Sequence, residues 1–177
     1  MMRIALLVAG ITLVQLGMAQ QGEPPKHAAP PKVVAAGGLI TTGEASVVCG
    51  RVRDSIQRVL LVKNVKSLPG APGNLTRAQL INVMADWVAA TRPKWVLTLP
   101  KLPVESRYIK GLDAKTTETL KKLIAQGFVA RQCVLTSGTK PGLTPEEFGD
   151  MLGYFICRLG EYTHQPSSKY SPALMKQ

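Results

Sequence analysis

Apolar residues recur at steps of three and four in four stretches of the chain, and proline and glycine interrupt the pattern between them. The first stretch predicts a helix over Ser46 to Val62, with Val48, Val52, Ile56, Val59 and Leu60 on its inner stripe. Pro69-Gly70-Ala71-Pro72-Gly73 then marks a loop. A second helix starts at Thr76, turns Leu80, Ile81, Met84, Trp87 and Val88 inward, and is stopped by Pro93. Trp95 to Val104 reads as an extended connector, because Pro93, Pro100 and Pro103 punctuate it, with room for a short edge strand over 95–99. The third helix is expected from an Asp113 N-cap to Gln126. Gly127 follows where a left-handed residue closes a helix, and Phe128-Val129 would fold back on the last turn. The fourth pattern is the widest: Phe148, Met151, Leu152, Phe155, Ile156, Leu159 and Tyr162 share one face behind Thr144 and Pro145. The fold class that follows is mainly α.

Two of these helices begin with the same phrase. Leu75-Thr76-Arg77-Ala78-Gln79 and Leu143-Thr144-Pro145-Glu146-Glu147 each place Thr three residues before Gln or Glu, the arrangement of a capping box. Leu143 minus Leu75 gives a period of 68 residues. Two helix-loop-helix units, about 46–91 and 105–163, are therefore expected to pack into one small helical domain over 37–164, since neither pair can hide its apolar stripe alone.

Leu75-Thr76-Arg77-Ala78-Gln79-Leu80, together with Leu123 to Val129 and Leu143 to Phe148, resembles the S-layer homology family. Its modules join a helix that ends in a Gly turn to a loop and a second helix opening on a Thr-Arg-Ala-Glu motif. The resemblance implies a non-catalytic module held on the cell wall; if the likeness is one of structure alone, the chain reads instead as a periplasmic or surface module for protein-protein contacts. Family modules usually occur in threes and grip an anionic, pyruvate-bearing polysaccharide in the grooves between them, with the motif Arg among the contacts. Arg77 occupies that place here, and Pro145 occupies it in the second unit.

The chain's ends look different. Arg3 precedes an apolar run from Ile4 to Val14, and Gly17-Met18-Ala19 fits a signal-peptidase site, so 1–19 is expected to be a signal peptide. The run is shorter than the roughly 20 residues a membrane span needs. A Pro-rich tether over 20–36 and a flexible tail over 165–177 would flank the domain. The expected location is outside the cytoplasm, in the periplasm or at the surface of a bacterium.

Charge narrows the partners. Lys and Arg number 22 against 11 Asp and Glu. Outside the cell such an excess favours anionic envelope polymers or lipid headgroups over nucleic acid; with the resemblance, the expected partners are anionic cell-wall glycan or other envelope proteins. Arg77 offers a planar fork for a carboxylate at a helix start, where the dipole also favours an anion. Trp95, outside any helix and next to Lys94, is a candidate sugar platform. Thr76, Gln79, Thr144 and Glu147 are assigned to helix capping. Two readings of Cys49, Cys133 and Cys157 stand: three small apolar core side chains, or a disulfide between Cys133 and Cys157 within one unit. No Cys-x-x-Cys or nearby His completes a zinc set, and no cofactor is expected. Glu146, Glu147 and Asp150 gather acids where a helix start welcomes them. No Ser-His or Cys-His grouping accompanies them, so no enzyme activity is expected.

Overall fold

The structure is a computed structural model that describes residues 38–97 and 103–171. The expected signal peptide at 1–19 and tether at 20–36 lie outside the described residues. The described chain is mainly α, with helices α1 (Thr42–Leu60), α2 (Arg77–Thr91), α3 (Ala114–Ala125), α4 (Val134–Ser137) and α5 (Pro145–Thr163). Short 3-10 turns cover Arg92–Lys94, Ser106–Tyr108 and Ser167–Lys169. Among the described residues no helix is long and apolar enough to cross a membrane.

The capping boxes form at Thr76 with Gln79 and at Thr144 with Glu147. A third forms where the apolar pattern shows none. Thr41 caps α1, accepting from the Glu44 amide at 3.2 Å, while Glu44 accepts from the Thr41 amide at 2.9 Å. Thus α1 begins four residues before the expected Ser46. The residues just ahead of the three caps are joined in a closed ring of backbone hydrogen bonds. Ile40 N–H donates to Leu143 O at 2.8 Å, Leu143 N–H to Leu75 O at 3.1 Å, and Leu75 N–H to Ile40 O at 2.9 Å. All three side chains are buried, as are Ala45, Leu80 and Phe148 one turn into each helix. This is the pairing of a hydrophobic staple, used three times. Where the repeated phrase predicts two related helix starts, the chain brings three together.

From the ring the helices run into one core. Trp87 is fully buried and its indole N–H donates to Lys66 O at 2.7 Å, which ties the loop after α1 to α2. Phe128, just past Gly127, stacks on Tyr162 with ring centres 4.8 Å apart. The α3 terminus closes as its Gly predicts: Gly127 has φ of 76°, its N–H donates to Ile124 O, and Phe128 N–H donates to Leu123 O.

Three expectations are corrected. Val96 N–H donates to Tyr162 O, so the connector lies on α5 and 95–97 form no strand; 98–102 lie outside the described residues. The tail does not fray at 165: Tyr170 is fully buried and its hydroxyl meets Thr163 Oγ1 at 2.8 Å, while 172–177 lie outside the described residues. No Cys133–Cys157 bond exists, and all three cysteines are free. Cys133 stands half-buried at the start of α4 with its backbone satisfied by Thr136, whereas Cys157 projects from the outer side of α5.

Candidate functional site

Arg77 takes up a structural position. As the first residue of α2 its side chain turns inward and is only 8% exposed. One guanidinium nitrogen donates to Leu135 O at 3.3 Å, and the other to Lys110 O at 3.0 Å and Gly111 O at 3.1 Å. The fork thus binds three backbone carbonyls of the α2–α3 connection and α4. Gly111, with φ of 68°, and Gly138 leave the space it fills: a Cβ would come within 2.9 Å of Nη2 at the first and 3.1 Å of Cδ at the second. The assignment of Arg77 as a ligand contact is therefore corrected to an internal clamp. A buried guanidinium is stable only when its donors are used, and backbone carbonyls freed by a loop are suitable acceptors.

Trp95 also packs within the domain. It is half-buried, its ring lies 4.5 Å from Tyr162 and 5.5 Å from Phe128, and its N–H donates to Thr91 Oγ1 at 3.3 Å. Lys94 beside it is exposed in a 3-10 turn. The capping residues do what was assigned to them, so none is free for a ligand. The structure does not bring Arg77, Trp95 and Lys94 into one site.

A different set of residues does converge. The segment held by Arg77 forms a cleft of about 170 Å³ against the end of α3, lined by Val104, Glu105, Tyr108, Ile109, Arg131 and Gln132. Tyr108 is 43% exposed, and the Arg107 guanidinium lies 4.9 Å over its ring. Glu105 is neutralised by Arg107 through a 2.5 Å ion pair. Arg131 is exposed and makes no ion pair among the described residues. A Tyr108 ring with Arg107 over one face, an amide and a guanidinium without an ion pair share one rim, a set able to stack on a sugar ring and hold a carboxylate. Lys110 joins the same loop through its N–H to Thr136 O. Sequence reasoning passed over Tyr108, Arg131 and Gln132, which lie outside every helical pattern. The Arg107-Tyr108 pair after the proline-rich connector was the available signal.

The chain was compared with family models, curated proteins and solved structures. It matches none of them.

Titration behaviour elsewhere reflects structure. Burial pushes the Cys49 thiol up to about 12, which keeps it protonated and inert. Burial also raises the Tyr162 and Tyr170 hydroxyls. Hydrogen bonds from Thr41 and Thr116 lower Glu44 and Asp113 below the ordinary carboxylate range. Among the described residues no group of three His, Cys, Asp or Glu side chains is placed to hold a metal ion.

Proposed function

We propose that this is a non-catalytic, exported cell-envelope protein that associates with anionic cell-wall polysaccharide through an S-layer-homology-like module. The observation that carries this reading is the ring of Ile40, Leu75 and Leu143, from which three capped helices start. The two helix starts that share the phrase stand side by side in that ring, beside the start of α1, the first helix of the first unit. The contact is assigned to the cleft at Tyr108, Arg131 and Gln132. Tyr108 supplies the platform, Arg131 the carboxylate fork, and Arg77 holds the loop beneath them.

The test is retention of the protein on purified cell-wall sacculi at moderate salt. Tyr108→Ala combined with Arg131→Ala should lower the bound fraction about tenfold, the loss of one charge-assisted fork and one stacking face. Both side chains are on the surface, so the variant should keep its melting temperature. Wild-type protein that is not retained overturns the reading. Binding that simply collapses between low and moderate salt would instead mark attraction by net charge alone.

A further inference from the structure

A second feature is independent of wall binding. Helices α2 and α3 pack against each other and leave a groove of about 410 Å³ between them. On the α2 side its wall is made by positions 85, 88, 89 and 92, and on the α3 side by 119, 122, 123, 125 and 126. The first set is an i, i+3, i+4, i+7 series and 119, 122, 123 and 126 repeat it, the outline that two adjacent helices offer to a third. Ala85 and Ala89 keep one wall low, so a helix backbone can approach closely. Leu123 adds an apolar floor. Arg92 and Lys122 stand exposed at the groove, and neither makes an ion pair among the described residues. An acidic helix with a slim apolar or small-residue face would meet both the shape and the charge.

The chain carries such a helix. Four of its 11 acids lie on α5, whose one cation, Arg158, is occupied by Glu161 and the Gly127 carbonyl. Glu146, Asp150, Tyr154 and Cys157 project outward along one side of α5, and Glu146 and Asp150 make no ion pair among the described residues. Between them Gly149 and Gly153 leave the helix backbone open, with no atom within 4 Å of the place a Cβ would take. In a protein with twice as many cations as acids, this is an acidic face without a cation of its own.

We propose that the outer face of α5 in one copy seats in the α2–α3 groove of the next, with Asp150 and Glu146 meeting Lys122 and Arg92. Groove and occupant are different surfaces, so a single contact leaves an unused helix face on one copy and an unused groove on the other. Such contacts extend into chains or close into rings, the smallest of which is a reciprocal pair. The attraction is between exposed charges and weakens with salt.

Sedimentation velocity of the full chain, with thiols kept reduced so that Cys157 cannot crosslink, tests this across a range of protein concentrations. At roughly 50 mM salt the weight-average mass should climb above that of the monomer, and at roughly 500 mM it should fall back. Lys122→Glu should weaken association about tenfold or more, and so should Asp150→Lys. Both positions are exposed, so both variants should keep the wild-type circular dichroism. The deciding sample is an equimolar mixture of the two variants, which should associate again because each reversed charge meets its complement. A wild-type protein that stays monomeric throughout overturns the proposal. So does association that both substitutions leave unchanged, or loss in each variant that mixing does not restore.

Discussion

Arg77 shows how one residue's role depends on the path of its side chain. Read from the chain, an Arg at the first turn of a helix is an anion contact. Folded, it is a cross-brace between segments 33 to 58 residues away in sequence. Replacing it with Ala leaves three carbonyls with lost donors, and the cost of that is about 3 kcal/mol. Arg77→Lys should recover little of this, because a single ammonium cannot span the three acceptors that the fork reaches. Urea denaturation of the two variants checks both statements. The first turn of each helix offers a second test. Glu44 and Asp113 are held below the ordinary carboxylate range by hydrogen bonds from Thr41 and Thr116. A group whose folded pKa is depressed stabilises above its unfolded value, and that contribution is lost as pH falls through the folded value. Melting temperature should therefore drop as pH falls through and below the ordinary carboxylate range. Glu44→Gln with Asp113→Asn should flatten that acid limb while keeping both caps, since Gln79 already does the same work in α2 without titrating.

At the scale of elements, the apolar periodicity placed α2, α3 and α5 closely, because each has a long stripe and a recognisable cap. The α3 terminus was legible down to its conformation. Gly127 is left-handed, and a Cβ there would lie 2.8 Å from Nη2 of Arg158, whose Nε–H donates to the Gly127 carbonyl. Gly127→Ala should cost about 1 to 2 kcal/mol from the left-handed backbone alone, read as a lower urea midpoint with an unchanged slope. Two elements escaped the pattern for physical reasons. α4 is a single turn made by Cys133 and Thr136, too short to show a period. The start of α1 carries Thr41-Thr42-Gly43-Glu44, a capping box in sequence, but its inward residues there are Thr42 and Ala45. The apolar stripe begins only at Val48, so periodicity alone starts the helix after the box.

For the molecule as a whole, the ring and the charge distribution matter most. Three chain segments exchange backbone hydrogen bonds at Ile40, Leu75 and Leu143, and Gly142 allows the closure, since a Cβ there would stand 3.0 Å from Leu75 O. The excess of cations visible in the composition is not uniform: α5 is acidic and the α2–α3 groove basic. That asymmetry is what the self-association experiment reads, and retention on sacculi reads the cleft at Tyr108 and Arg131.

Local chemistry along the chain determined the helices, their caps, the Gly127 stop and the mainly α class, because those depend on residues within a few positions of one another. Tertiary structure alone decided that Arg77 points inward, that Trp95 covers Tyr162, that Tyr170 secures the tail and that a third helix start completes the ring. It also assembled the cleft of Tyr108, Arg131 and Gln132 from separate segments. Each of those is a contact between parts that sequence spacing does not relate, set by which carbonyls and apolar surfaces were left to satisfy once the helices had packed.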